Sequence, residues 1–355
     1  MRQEPELKRH GDTMLVEHHW EGEKLVFSFI PEGGDGKRKS SFSIPKKAFF
    51  QVQGMKRFPD VHPDRLALVA IMLSLPFSET RLKIGWGISE KFKKSTDVIS
   101  RINIESPSDE DVEPVYLDVD GRPSLSFSGG ADSTAALSVM PNNTIPIFML
   151  RAPSNRRSLY RSEAAEKSCE ILKNLGYQVK TVISDFEELR DPIGFPVDLA
   201  VGTPAILLSE YIGIRSIAFG TILESAFGIG GKEFRNYSDT AHYTLWSTLM
   251  TAVGIEYSLP VAGVSEVGTS LILQASPFGE ISQSCIRGEW ESPCMNCWKC
   301  FRKELLAHGL NNEVVSQAVI DMLTESNEVR LKLLENKPIR HECVLTHALS
   351  NSSSA

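Results

Sequence analysis

The sequence predicts an α/β protein: a larger domain built on a parallel sheet and carrying a four-cysteine metal segment, with a smaller α+β domain ahead of it. Three observations carry that prediction. From residue 122 onward, strand-like apolar runs alternate with helical ones, the pattern of parallel strands joined by crossover helices. One strand ends in "SLSFSGGADSTAAL", Ser124 to Leu137, where two glycines separate an apolar run from a helical one. Further on, Cys285, Cys294, Cys297 and Cys300 crowd into the stretch 285–300.

Residues 1–120 read as the accessory α+β domain. "MLVEHHWEGEKLVFSFI" alternates apolar residues on both sides of Glu21-Gly22-Glu23, as two strands around a turn do. "DRLALVAIMLSL", preceded by Pro63, reads as a buried helix. "ESPSDEDVEP", residues 105–114, is acidic and proline-flanked, and suits a linker or exposed loop. The larger domain then runs over 121–310. "PSLSFSG", "TIPIFML", "QVKTVIS" and "RSIAFGTI" read as its strands, and "ADSTAALSVM", "SEAAEKSCEILKNLGY" and "PAILLSEYIG" as its helices. In the second of these helices Ala165, Cys169, Leu172 and Leu175 fall near one face. Residues 311–355 form a helical segment, "NEVVSQAVIDMLTESNEVRLKLLENK", and a tail, "SNSSSA", expected to fray. "GIGGKEF", residues 228–234, is expected to be a mobile loop.

Composition narrows the class. With 355 residues, 41% hydrophobic and 23% charged, the chain belongs among soluble globular proteins large enough to bury a core. Its net charge of −7 argues against a non-specific grip on nucleic acid, though a local basic patch would leave that partner open. The longest apolar run, Leu66 to Leu75, is too short to span a bilayer, and the first 25 residues are charged rather than signal-like. A cytoplasmic protein without membrane contact is expected. Six cysteines in such a chain point to thiols or a metal rather than to a disulfide framework.

The glycine-rich turn has the make-up of a phosphate site. A strand ending in Ser128-Gly129-Gly130 lets the backbone approach an anion with no Cβ in the way, and the helix that follows aims free N–H groups at it. Ser133 and Thr134 add hydroxyls at the helix start, and Asp132 suits both a helix N-terminus and a Mg²⁺ ion beside polyphosphate. The turn is neither a Walker loop, since Gly231-Lys232 is followed by Glu233, nor a dinucleotide fingerprint.

The cysteines form C-x₈-C-x₂-C-x₂-C. Two-residue spacings let neighbouring thiolates converge on one ion, and the longer arm closes a tetrahedral shell suited to Zn²⁺. A closed Cys₄ shell has no open position, so such a zinc is structural. Iron–sulfur ligation and ordinary buried thiols are the alternatives, and colour separates the metals. Cys169 and Cys343 stand outside the group and read as helix-packing residues.

"SGGADS" resembles the SGGxDS signature of the PP-loop ATP pyrophosphatases, whose domain is a HUP-type, Rossmann-like parallel sheet. The resemblance implies that Ser128, Gly129, Gly130, Asp132 and Ser133 bind the terminal phosphates of ATP, with Asp132 and Ser133 serving the chemistry, while a substrate oxygen attacks the α-phosphate. Together with the cysteine spacing, residues 122–310 resemble the 7-cyano-7-deazaguanine synthase (QueC) family. That implies adenylation of a 7-carboxy-7-deazaguanine-like carboxylate, attack by ammonia or another amine, and a second activation that yields a nitrile. "SIAFGTILES" and "EISQSCIRGEW" stand where that family has its fourth strand and its approach to the first zinc cysteine.

The chain also departs from the family. It reads "FMLRAPSNRRSLYRSE" in place of an Asp-Tyr-Gly-Gln-Arg-like stretch, and "AVGTPAILLS" in place of a proline-Gly-Arg-Asn one. No lysine stands around Ser265-Glu266, and residues 1–120 have no counterpart in a minimal synthase. In these respects it resembles divergent QueC-like proteins of bacterial anti-phage gene clusters. A protein partner docking on residues 1–120, a homodimer, an acceptor on a nucleic-acid base or protein terminus, and a non-catalytic nucleotide-binding subunit all remain open readings.

Four further candidates follow from position. Arg151, Arg156, Arg157 and Arg161 suit phosphate or carboxylate, or else a solvated helix entrance. His242 is a weak candidate base. Glu224 and Gly220 follow the fourth strand, where ligands of open α/β sheets gather; Gly220 would let the backbone approach a nucleotide, or merely suit a strand end.

Overall fold

The computed structural model describes residues 13–32, 47–107, 111–154, 160–229, 233–335 and 337–353. Arg156, Arg157 and the centre of the expected 228–234 loop lie outside these residues. Two compact units divide the chain: the first takes residues up to 118 with 182–213 and 248–255, the second takes 119–181, 214–247 and 256 onward. The chain thus returns twice to its first unit, which a division by sequence position at residue 120 does not register.

In the first unit, β1 (Thr13–Glu21) and β2 (Lys24–Glu32) form the expected hairpin. Gly22 opens its two-residue turn at φ +57°, a conformation that suits glycine in such turns. β3 (Lys47–Val52) adds to β2 antiparallel. α1 (Pro63–Ser74) is buried on every side from Leu66 to Leu73, and so serves as the unit's core helix. Its start has Pro63 at the first position, where a missing N–H is harmless, and His62 accepting from Asp64 N at 3.2 Å. β4 (Arg81–Ile84) pairs parallel with β1. Ser89, which caps α2 (Glu90–Ser95), donates through N and Oγ to the buried Asp64 carboxylate at 2.8 and 2.6 Å. β5 (Asn103–Glu105) pairs parallel with β4.

The second unit begins with β6 (Arg122–Phe127), α3 (Ala131–Ser138), β7 (Ile145–Arg151) and α4 (Glu163–Asn174). The chain then runs through β8 (Lys180–Ser184), whose Val182–Ser184 pair antiparallel with β3 in the first unit, and α5 (Thr203–Leu208). β9 (Ile214–Phe219) re-enters the second unit, followed by α6 (Leu223–Ala226) and the short pair β10 (Gly228–Ile229) and β11 (Glu233–Phe234). After α7 (Ser247–Ala252) come β12 (Glu256–Ser258), α8 (Glu266–Gln274), α9 (Trp298–Asn311), α10 (Gln317–Glu325), α11 (Asn327–Leu333) and α12 (Glu342–Asn351).

The sheet of this unit runs β12-β9-β6-β7, and its pairings are parallel. From β6 the chain first adds β7 on one side and later adds β9 on the other. The carboxyl ends of β6 and β9 therefore stand at a topological switch point, where open α/β sheets form their ligand crevice. Leu125, Phe127, Leu137, Phe148, Cys169 and Leu172 pack the core behind it, and burial pushes the Cys169 thiol up to about 12. On α4 Ala165, Cys169 and Leu172 are buried as expected, but Leu175, at the C-cap beyond the last helical residue, is 55% exposed.

The C-terminal helices pack around α9, with Phe301, Leu305, Leu306, Val319, Met322, Val329 and Val344 in their core. Ser326 divides the expected long helical stretch: it ends α10 and its Oγ accepts from Val329 N at 3.3 Å to start α11. Two expectations need correction here. Cys343 is exposed on α12 rather than packed, while Val344, Leu345 and Ala348 take the buried face of that helix. The tail does not fray through Ser353, since Ser350 and Asn351 continue α12 and Ser353 N donates to Glu313 O at 2.9 Å. Among the described residues no helix is long and apolar enough to cross a membrane.

Candidate functional site

The loop between β6 and α3 lies at the crevice. Gly129 takes φ +72°, and a Cβ there would stand 3.1 Å from Ala165 Cα, so glycine is required twice over. Gly130 caps α3 in extended geometry, leaving the first-turn N–H groups of the helix without intrahelical acceptors. Ser128 N donates to Ser133 Oγ at 3.3 Å, the two serine hydroxyls lie 3.0 Å apart, and Ser133 Oγ is 3.0 Å from Gly130 O. These bonds hold the loop in its curl. Gln283 N donates to Gly129 O at 2.8 Å, tying the approach to the cysteines onto the loop.

The other predicted loop residues divide in role. Asp132, part exposed on the first turn, accepts from Thr269 Oγ1 at 3.4 Å and lies 4.0 Å from Lys303 Nζ. Thr134 is fully buried and its hydroxyl donates to Gly130 O at 2.9 Å, back along the helix. A Cβ on Gly220 would stand 2.6 Å from both Ser133 Cα and N. Gly220 therefore lets the end of β9 close on the start of α3, and shapes the loop from behind.

Sequence reasoning missed a charged group around Glu266. This residue is 1% exposed in the first turn of α8, which packs against α3. Arg302 Nη2 lies 2.9 Å from its Oε2, Lys303 Nζ lies 3.1 Å from its Oε1, and His341 Nδ1 lies 3.7 Å from its Oε2. Burial alone would push Glu266 up, but Lys303, Arg302 and His341 hold it down at about 2. Burial and the neighbouring Arg302 push His341 down to about 4. Glu224 accepts from Glu266 N at 3.2 Å and is pushed up by burial, with Glu266 and Asp132 adding to the shift. The signal for this group was the spacing of Lys299, Arg302 and Lys303, which places three cations on neighbouring faces of one helix.

A pH dependence follows. Glu266 moves from 4.5 to about 2 on folding, a contribution of about 3 kcal/mol that is fully present above pH 4.5 and lost as pH falls toward 2. Glu224, with its raised value, acts in the opposite sense, stabilising while protonated and fading as pH rises. Glu266→Gln is expected to flatten the acid limb and to lower neutral-pH stability by about 3–5 kcal/mol, because Arg302 and Lys303 stay buried without their anion. Urea unfolding midpoints across pH 2–7 measure both effects, and an unchanged acid limb would remove Glu266 as its source.

Cys285, Cys294, Cys297 and Cys300 converge, with all four sulfurs within 4.8 Å of one another. Gly288 makes the long arm turn back on itself, since a Cβ there would meet Ser292 O at 2.4 Å. Cys297 caps α9, its sulfur accepting from Cys300 N at 3.4 Å. The hydrogen bond with Cys300 holds the Cys297 thiol down at about 5. Glu328 on α11 straps the arm, accepting from Trp298 N at 3.1 Å and from Arg287 Nη1 at 2.6 Å. Such a set of soft donors could hold a metal.

The remaining candidates lie elsewhere. Arg161 pairs with Glu289 of the cysteine arm, and Arg151 lies over the Tyr160 ring at 3.5 Å. His242 Nδ1 lies 2.7 Å from Tyr257 Oη, with the two rings stacked, so this histidine has a packing partner of its own. A cavity of about 290 Å³ lies beside the cysteines, with Ser282, Gln283, Lys299, Lys303 and Glu304 in its wall.

Fold and site together define a parallel α/β protein that joins a glycine-rich strand–turn–helix to a four-cysteine group. The profile of a family of unknown function (DUF6395) matches residues 245–354, the stretch that holds Glu266, the cysteines and the C-terminal helices but not the glycine-rich loop. No curated protein matches the sequence. Among solved structures, the chain is similar to the U34-tRNA thiolase NcsA of Methanococcus maripaludis, solved with its [4Fe-4S] cluster. The identity is 16% over 56% of this chain and 67% of that one, with a TM-score of 0.31, a likeness too slight to carry an argument.

Proposed function

We propose that this protein is an ATP-dependent, AMP- and pyrophosphate-forming ligase of the PP-loop kind. It would activate a 7-carboxy-7-deazaguanine-like carboxylate for attack by ammonia or another amine. One observation carries the reading: "SGGADS" forms a strand–turn–helix whose free N–H groups open at the switch point of a parallel sheet. In the reaction, a carboxylate oxygen attacks the α-phosphorus and the bond to the β-phosphate oxygen breaks, releasing pyrophosphate. The amine nitrogen then attacks the acyl carbon, AMP leaves with the bonding pair, and the nitrogen loses a proton. The loop would hold the β- and γ-phosphates in place, so that catalysis comes from positioning and charge neutralisation.

Asp132 would hold Mg²⁺, which supplies charge neutralisation across the phosphates. The cysteines would hold one Zn²⁺. A tetrahedron with Zn–S near 2.3 Å has edges of about 3.8 Å; two of the six sulfur pairs, Cys297–Cys300 at 3.5 Å and Cys294–Cys300 at 3.8 Å, are close to it, and all lie within 4.8 Å. An iron–sulfur cubane puts an iron under each thiolate and holds the sulfurs further apart.

Zinc-replete protein incubated with Mg-ATP, ammonium and 7-carboxy-7-deazaguanine is expected to give AMP in equal amount with each activation step. Mass spectrometry would show amide, or nitrile if the second step is kept. Pyrophosphate–ATP exchange with the acid alone reads the first half separately. Absence of both exchange and AMP would remove this acid as the substrate.

A further inference from the structure

We infer that Lys299 and Lys303 of α9 bind the triphosphate and supply the positive charge that the glycine-rich loop lacks. The inference rests on the nucleotide reading of that loop. Residues 128–134 contain serines, glycines, an alanine, an aspartate and a threonine, with no cation among them. A triphosphate brings several negative charges, and helix N–H groups carry only about half a unit of positive charge at the N-terminus. The balance has to come from elsewhere in the chain.

The two lysines are placed for it. They stand four residues apart on one face of α9, and both line the 290 Å³ cavity. Lys299 Nζ lies 4.0 Å from where a Cβ on Gly130 would stand, beside the loop's own backbone. Lys303 Nζ lies 4.0 Å from Asp132 Oδ1 on the first turn of α3. Arg302, between them in sequence, turns instead to Glu266 with a hydrogen bond of 3.0 Å, which leaves the lysines as the loop-facing pair.

Lys303 adds a second, independent sign. Its ammonium is closed off from solvent and makes no hydrogen bond of good geometry, although Glu266 and Asp132 lie near in charge contact. Glu266 matches the charge of this ammonium but leaves its N–H donors without a well-aligned acceptor, and an arriving phosphate oxygen would supply one. The position of both lysines comes from the cysteine group. Cys297 caps α9, Lys299 lies between Cys297 and Cys300 in the first turn, and Lys303 follows one turn later.

The test is equilibrium binding of α,β-methylene-ATP with Mg²⁺, and of adenosine, to the full-length protein by calorimetry. Lys299→Ala and Lys303→Met are compared with Lys167→Ala, a solvent-facing lysine of α4 paired with Glu170. Each charge-assisted contact supports a loss of roughly 10–100-fold in affinity for the triphosphate. Adenosine affinity is expected to stay unchanged, a split that general loosening of the fold would not give, and Lys299→Arg is expected to recover part of the loss. If wild-type protein binds the analogue and both variants bind it equally well, the lysine assignment fails and the reading of the loop stands. If wild-type protein binds no nucleotide, the reading of the loop fails and the assignment goes with it.

Discussion

Asp132→Ala is expected to lower pyrophosphate release by about 10²–10³-fold while leaving the melting temperature close to that of the wild type. The two halves of this expectation have separate causes. Asp132 is the second residue of α3, with its carboxylate part exposed at the mouth of the loop, so its removal opens no cavity. Its contacts to Thr269 and Lys303, at 3.4 and 4.0 Å, are long ones that add little to stability. At the same time it is the carboxylate on the loop's own helix turn, and it would hold a metal ion that neutralises phosphate charge. On the proposed reading, losing it would leave the triphosphate bound by N–H groups and lysines but poorly held for in-line displacement. A coupled pyrophosphate assay beside a thermal melt reads both quantities. Wild-type turnover in the variant would take Asp132 out of the chemistry.

What was legible in the sequence was what local order dictates. The strand ending at Phe127, the two glycines and the helix from Ala131 are contiguous, and their chemistry follows from residue type alone. The cysteines were legible because C-x₂-C spacing constrains geometry over a few residues, and the sulfurs do converge. Long-range choices were not legible. Nothing near 182–213 or 248–255 announces that these segments belong with the first unit, because that depends on which edges and faces are left uncovered after the chain folds. The charged group joins Glu266 to Arg302, Lys303 and His341 across 36 to 75 positions of sequence, and only packing brings them within reach. The absence of a lysine around Ser265-Glu266 was read from linear order, whereas a lysine reaches that place from the next helix. Thr134 shows what register alone leaves out. It follows the loop serine in sequence, yet its side chain is fully buried and its hydroxyl is taken up by the Gly130 carbonyl.

Cys297→Ser is expected to abolish stoichiometric zinc and to unravel α9 and the helices around it, the largest loss of structure from any single substitution considered. Three consequences meet in this side chain. Its sulfur is one of the four that converge, and a zinc ion held there would contribute on the order of 10–16 kcal/mol to folding. The same sulfur caps α9, and a serine oxygen would keep the cap but bind the ion poorly. The helices that depend on α9 share a small core in which Cys297 and Cys300 are themselves members, 5% and 6% exposed, so there is little other apolar surface to hold them. Because Lys299 and Lys303 ride on α9, nucleotide affinity is expected to fall with the metal, while the first unit keeps its own packing around α1. Metal content by mass spectrometry, limited proteolysis of 285–353 and calorimetry with the ATP analogue read these consequences on one preparation. Colourless wild-type protein with one zinc per chain is the expected reference; brown protein containing iron would replace the single-ion centre with a cluster, and unchanged proteolysis in Cys297→Ser would show that the C-terminal helices stand without it.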